Sequence, residues 1–436
     1  MRSSIRPWFY SGQRRRERRP GPIFWILAIL GACLPLGPLR GADAALSVRD
    51  AVRLARTGNP FQLAKRLDAD IAAADRITAG LFPNPQVSTQ ALLIPDPRQR
   101  TDAGFLAGPN SQWLLQFSSP IPMGGKRKRA MNLADRNAEW ASSLVADAAV
   151  QTAYDAGRKW LDVWFVAINR QLVEEAKANI DNLVAINEAR ARNEVITKVE
   201  LARTQILQEQ YDLQRRSLER DAANESRSLQ MLLGLPEVRP VDMGDGFSPV
   251  AVPESLVELL AYAQVHRSDR RAAQAALAAM TSSLAYQRSL AAPDVTVSAV
   301  WNPQNAVPYV GLGVGVELPF FSRNQGNIRK AELSEEQGRR ALRAVEQRIE
   351  TDIRNAFETY RERLETNRRY AAIIAQAGQV LDTIRYAYLR GQTTLIDFLE
   401  AQRTWFETKK QLYETLLSFR QSYWDLLLAT GLIEEI

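Results

Sequence analysis

Cys33 and His266 are the only cysteine and the only histidine in the 436 residues. That inventory narrows the chemistry at once. A zinc-type cluster needs several thiolates or imidazoles converging on one ion. A Ser–His–Asp enzyme would depend on His266, and no G-x-S-x-G elbow accompanies it. His266 falls near the end of a helical turn, where a surface or locally satisfied imidazole fits better than a ligand. No catalytic residue, metal or cofactor is expected. The remaining candidates are polar residues at fixed spacing. Thr197-Lys198-Val199-Glu200 and Thr394-Leu395-Ile396-Asp397 each set a hydroxyl three residues before a carboxylate. Such a pair caps a helix, because the hydroxyl accepts an orphan N–H and the acid sits in the positive first turn. Two roles fit the spacing: a cap alone, or a cap that also meets a partner.

These segments belong to a longer internal repeat. Pro122 answers Pro319, Thr197 answers Thr394, Gln205 answers Gln402 and Gly234 answers Gly431, every pair 197 residues apart. A constant step over roughly 110 residues allows no net insertion, so each copy reads as one rigid element whose length matters. Further upstream Pro85 answers Pro293 at a step of 208. The difference is a longer loop in the first copy, rich in Pro95, Pro97, Gly108 and Pro109.

Within each copy the patterning is regular. Ser47-Val48-Arg49-Asp50 and Ser255-Leu256-Val257-Glu258 are helix-start boxes. Behind them Val48, Ala51, Val52 and Ala55, and Leu256, Leu259, Leu260 and Ala263, follow helical spacing. The spacing predicts single helices running to about Leu81 and Leu290, stopped by Pro83, Pro85 and Pro293. Alternating segments follow: Gln86 to Ile94 with Trp113 to Ser118, and Asp294 to Trp301 with Tyr309 to Glu317. In the last, Val310, Leu312, Val314 and Val316 point one way, and Gly311, Gly313, Gly315 and Glu317 the other. Proline-free stretches over about 127–193 and 327–390 then read as helices roughly 100 Å long. A second helix of roughly 35 residues ends each copy at Gly234 or Gly431. First and last helices laid end to end match the long one. The wall so built has the strands at one end, the helical turn at the other, and a mid-height join from which the linker 235–253 emerges. The domains are therefore 1–44, an export segment; 45–234, the first repeat; 235–253, the linker; and 254–436, the second repeat.

The first 44 residues carry eight Arg against Glu17 and Asp43, hence +6 of the total +7. About +1 is left for the rest, which argues against nucleic acid as a partner. Arg14-Arg15-Arg16 and Arg18-Arg19 precede an apolar run from Ile23 to Leu30, the pattern of an export signal; an uncleaved anchor is the alternative. Two cleavage sites compete. One is Ala42-Asp43-Ala44. The other is Leu30-Gly31-Ala32-Cys33, a lipobox-like run that would make Cys33 the lipidated first residue.

Beyond residue 45 no stretch of 18 apolar residues occurs, so no membrane helix is expected there. The strands have another option. Segments of about 9–11 alternating residues span an outer membrane in a closed barrel, and such barrels need at least about eight strands. Four per chain require several protomers to share one barrel. A small soluble sheet capping a bundle is the other reading.

Ser119-Pro120-Ile121-Pro122-Met123-Gly124-Gly125-Lys126-Arg127 and Leu318-Pro319-Phe320-Phe321-Ser322-Arg323-Asn324-Gln325-Gly326, with the two copies, resemble the TolC family of bacterial outer-membrane efflux proteins, in particular its CzcC-like cation-efflux subgroup. The resemblance implies a mainly α protein with a small β part: a trimeric α-barrel of long antiparallel coiled helices under a shared twelve-stranded outer-membrane barrel. It implies a homotrimer in outer-membrane lipid, reaching into the periplasm. The partners it implies are a periplasmic adaptor (membrane fusion protein) and an inner-membrane resistance-nodulation-division transporter. The function it implies is a passive exit duct for cobalt-, zinc- or cadmium-type cations or other toxic small molecules, with a drug duct of the same fold or a secreted coiled-coil interaction protein as alternatives. Adaptor docking falls on the tip residues Glu194, Thr197, Glu200, Gly391, Thr394 and Asp397. In the first tip Glu194 replaces the expected glycine, and Asn193 is the residue expected to take the left-handed turn. Asp382, Arg385, Tyr386 and Arg390, one to three turns before the second tip, are candidates for a gate or for a solvated charged face.

Overall fold

The computed structural model describes residues 45–93, 111–237, 239–244, 250–304 and 307–436. The export segment with Cys33, both cleavage sites and most of the longer first loop lie outside them. Within each repeat the order is two short helices, two strands, one very long helix and one of intermediate length. The first copy holds α1 (Val48–Gly58), α2 (Pro60–Gly80), β1 (Gln86–Leu93), β2 (Ser111–Ile121), α3 (Lys126–Arg192) and α4 (Lys198–Leu233). The second holds α5 (Leu256–His266), α6 (Ser268–Leu290), β3 (Val295–Gln304), β4 (Val307–Val316), α7 (Gln325–Leu389) and α8 (Leu395–Thr430), followed by a 3-10 turn at Leu432–Glu435.

The long helices match the expected spans, at 67 and 65 residues. The leading helices do not. Each is split, once after Asn59 and once at Arg267, positions related by the upstream repeat step. The first split is legible locally, since Pro60 has no N–H to continue α1 and Asn59 caps α2 by accepting from the Gln62 amide at 3.0 Å. The second has no proline. Its cause is tertiary: the last turn of α8 abuts it. Asn59 Nδ2 donates to the Leu232 carbonyl at 2.8 Å, and Arg267 donates to the Ala429 carbonyl at 2.8 Å. The two carbonyls are repeat equivalents. Both joins thus satisfy the orphan acceptors of the helix that ends there. The Ser47 hydroxyl caps α1 at 3.1 Å as expected, whereas Ser255 makes no side-chain cap on α5.

Splitting shortens the wall helices. It is α2 and α6, not the full leading segments, that lie along α3 and α7 above the joins; α4 and α8 line them below. The short α1 and α5 pack at mid-height instead. Val48, Ala51, Val52 and Ala55 enter one core with Trp160, Leu161, Leu259, Ala263, Trp424 and Leu427. Trp160 Nε1 donates to the Leu46 carbonyl at 2.8 Å, fixing the chain that leads into α1. The linker is fastened here too: the Tyr423 hydroxyl accepts from the Val250 amide at 3.0 Å and donates to the Val250 carbonyl at 2.5 Å. His266 stacks on Tyr262 at 4.0 Å between ring centroids.

Above the upper helices the strands form one antiparallel sheet in the order β1-β2-β3-β4. Strand β2 extends past the expected Ser118 to Ile121 and takes Pro120 into its pairing with β3. Strands β1 and β4 are the two edges within the protomer.

Candidate functional site

Both helical turns at the far end close the same way. Glu194 at φ 59° and Gly391 at φ 73°, repeat equivalents, take the left-handed conformation. Asn193 does not, at φ −94°. The reason is position: Glu194 occupies the residue just after the cap, and the Val195 amide must reach the Arg190 carbonyl at 2.9 Å, as the Gln392 amide reaches Ala387. A non-glycine residue held there carries strain of about 1 kcal/mol.

Past each turn a full capping box opens the returning helix. The Thr197 hydroxyl accepts from the Glu200 amide at 3.1 Å, while Glu200 accepts from the Thr197 amide at 2.8 Å. Thr394 and Asp397 repeat this at 3.2 and 3.1 Å, and Thr393 adds a hydroxyl donor to Asp397 at 2.7 Å. The Thr197 backbone and hydroxyl donors hold the Glu200 carboxyl below its ordinary range, and those of Thr394 and Thr393 do the same for Asp397. A carboxyl lowered on folding contributes stability above its unfolded value, and that stability is lost as pH falls through the folded one. Amide protection at the tips, corrected for the intrinsic pH dependence of exchange, should therefore be flat from pH 7 to about 5 and should fall below about 4, the unfolded carboxyl range. An onset near pH 6 would exclude these caps as the cause.

The two tips are tied together by aromatic and amide contacts. Tyr388 stacks on Phe398 at 5.3 Å, Arg190 lies over the Tyr388 ring at 4.9 Å, and the Tyr388 hydroxyl donates to Asn187 Oδ1 at 2.9 Å. Sequence reading misses this brace. Tyr388 and Asn187 follow helical spacing on two different helices, and no local signal joins them. The gate candidates lie on the neighbouring surface of α7. Asp382, Arg385, Tyr386 and Arg390 are all exposed, and Arg390 stacks on Tyr386 at 4.1 Å. Asp382 and Arg385 line a small cleft with Asn179, Leu183, Phe398 and Trp405.

At the opposite end the sheet has two unlike faces. Residues directly paired across strands share a face. The rows Val310–Trp301–Leu115–Thr89 and Leu312–Ala299–Phe117–Val87 are therefore on one side, with Val314–Val297–Ser119 and Val316–Val295–Ile121 beneath them, a side apolar except at Thr89 and Ser119. The other side carries Gly311–Val300–Gln116–Ser88, Gly313–Ser298–Ser118–Gln86 and Gly315–Thr296–Pro120. The apolar side is open to solvent in the protomer: Leu312 is 89%, Val310 77% and Val314 74% exposed. No helix among the described residues is long and apolar enough to cross a membrane. Strands β2, β3 and β4, of 11, 10 and 10 residues, have the length that a tilted transmembrane strand needs, and β1 has 8 residues up to Leu93, the last described residue before the loop.

Comparison with known proteins gives this arrangement its relatives. Residues 259–432 match the family described as outer membrane efflux protein. The chain is 25% identical over 391 residues to the cobalt-zinc-cadmium resistance protein CzcC of Cupriavidus metallidurans, covering 86% of this chain and 87% of that one. It is 23% identical to the cation efflux system protein CusC of Escherichia coli, over 76% of this chain and 73% of that one. A solved CusC structure superposes with a TM-score of 0.71 at 18% identity, covering 88% and 92% of the two chains. The CmeC outer membrane channel of Campylobacter jejuni gives 0.71 at 15%, over 88% and 85%. The fold is that of these outer-membrane channels.

Proposed function

We propose that this chain, whose residues 259–432 match the outer membrane efflux protein family, is the outer-membrane duct of a tripartite efflux system, acting as a homotrimer without chemistry of its own. The observation that carries the reading is the two-faced sheet. Its apolar side is exposed in the protomer, and both of its edges lack partners there. In lipid an open edge leaves N–H and C=O groups unsatisfied, so the protomer alone is not a viable membrane structure. Three protomers joined β4 to β1 would close twelve strands, with the Gly, Ser, Thr and Gln side lining a wet lumen. Below, the α3 and α7 hairpins would continue the wall into the periplasm for about 100 Å.

The tips are the docking surface for a periplasmic adaptor, through Glu194, Thr197, Glu200, Gly391, Thr394 and Asp397. The adaptor in turn connects to an inner-membrane resistance-nodulation-division pump, which supplies the energy. Heavy-metal cations are the cargo, on the strength of the CzcC and CusC likenesses. A passive duct needs no tight cation ligands of its own.

Asp382, Arg385, Tyr386 and Arg390 form the gate. Their exposure within the protomer leaves them available to pair across protomer boundaries, where an adaptor can shift a bistable contact. In planar bilayers the purified trimer should give a small resting conductance, and Asp382→Ala or Arg385→Ala should raise it several-fold. Resting conductance unchanged in both variants would remove the gate; no conductance from any preparation would remove the duct.

A further inference from the structure

Two clefts flank α3 just below the sheet, on opposite sides of the wall. One is lined by Ala130, Ala134 and Asn137 of α3 with Pro122 and Asp294. The other is lined by Lys128, Asn132 and Asp135 of α3 with Arg76 and Arg129, and Arg127 lines both. At 100° per residue those two α3 sets point in opposite directions. Pro122 directly follows Ile121, the last residue of β2, and Asp294 directly precedes Val295, the first of β3, so continued alternation puts both with Pro120 and Thr296 on the polar side of the sheet. The first cleft therefore opens on the polar side, and the second continues the apolar, lipid-facing side.

That second cleft has about 820 Å³ of space and begins at Gly125, four residues below the end of β2 at Ile121. It holds four cations against a single carboxylate. Asp135 is already taken by Arg76 at 2.7 Å. Arg127 is fixed over the Phe82 ring at 4.4 Å and donates to the Gly80 carbonyl at 2.6 Å. Arg129 reaches the Gly124 carbonyl at 3.2 Å. Among the described residues, Arg127, Lys128 and Arg129 have no carboxylate partner. Exposed apolar residues stand at the same level: Met123 and Leu318, each two residues past a strand end, at 44% and 65% exposure.

We propose that this cleft binds the phosphate head group of an anionic glycerophospholipid in the periplasm-facing leaflet. The proposal rests on the outer-membrane reading above. Strand ends set the depth of the hydrocarbon, and a cation cluster a few residues beyond them falls in the head-group layer. Basic pockets at that depth recognise anionic head groups, while apolar neighbours take the upper acyl chain. The contacts would hold the barrel at a fixed height above the helical wall.

The test uses the detergent-purified full chain, placed in phosphatidylcholine nanodiscs with and without phosphatidylglycerol and read by native mass spectrometry. Wild type should retain phosphatidylglycerol over phosphatidylcholine. The K128Q/R129Q double variant should lose on the order of tenfold in that preference, and the charge-conserving K128R/R129K should keep it. An equal preference in K128Q/R129Q and wild type overturns the proposal. So does displacement by millimolar inorganic phosphate alone, which marks a free-anion site, or a stronger preference for lipid A, which belongs to the other leaflet. A chain that stays monomeric without detergent overturns the duct reading itself, and shows this before any lipid is added.

Discussion

Replacing Gly234 with alanine should cost roughly 3–5 kcal/mol and abolish folded protein, while Gly391→Ala should cost only about 1. Both residues sit at positive φ, 66° and 73°. They differ in space. A Cβ on Gly234 would stand 2.0 Å from the Gly58 carbonyl oxygen, whereas one on Gly391 meets nothing within 4 Å. At Gly391 only left-handed strain is added. At Gly234 the end of α4 would be driven off the α1/α2 join, breaking the Asn59 bond to Leu232 and opening the mid-height core. Gly431, the repeat equivalent, is intermediate: its Cβ would lie 3.2 Å from the His266 carbonyl. The expected order of unfolding midpoints is wild type, then Gly391→Ala, then Gly431→Ala, with Gly234→Ala lowest or not recoverable. Equal midpoints for Gly234→Ala and Gly391→Ala would mean that the join does not govern stability.

The same residues show how far sequence carries. The 197-residue step brings Gly234 and Gly431 into correspondence, and alternation along β4 is enough to separate its valine and leucine face from its glycine face. Both are local periodicities, and those survive into the fold. The join at Arg267 is invisible in the sequence for the opposite reason. Nothing in His266-Arg267-Ser268 breaks a helix; the break exists because α8 ends against it, at Leu427 to Thr430, far away along the chain. The first tip departs from expectation at one residue. Asparagine tolerates the left-handed region better than glutamate, but the turn fixes which residue must adopt it, and that is Glu194. The Tyr388–Asn187 brace has no signal at all, because a contact between α3 and α7 is a property of helix pairing.

Leu312→Arg and Gly311→Arg should behave as opposites, although the positions are adjacent. Leu312 is on the apolar row and 89% exposed; Gly311 is on the polar row, with open space where its Cβ would go. If the sheet were a soluble cap, both arginines would be solvated and both variants would assemble. In a shared barrel they diverge. Arginine at position 312 faces acyl chains and costs about 2–4 kcal/mol per protomer near mid-membrane, a penalty a trimer meets three times. Arginine at position 311, beside Val300 on the polar side, faces the lumen, where water receives it. Heat-resistant trimer in outer-membrane fractions should therefore be lost in Leu312→Arg. It should persist in Gly311→Arg, with single-channel conductance shifted toward anions. Equal assembly of the two would return the four strands to a water-soluble sheet and remove the basis for a ring of protomers, since that ring is required only where the apolar row meets lipid and the edges of β1 and β4 have no water to satisfy them.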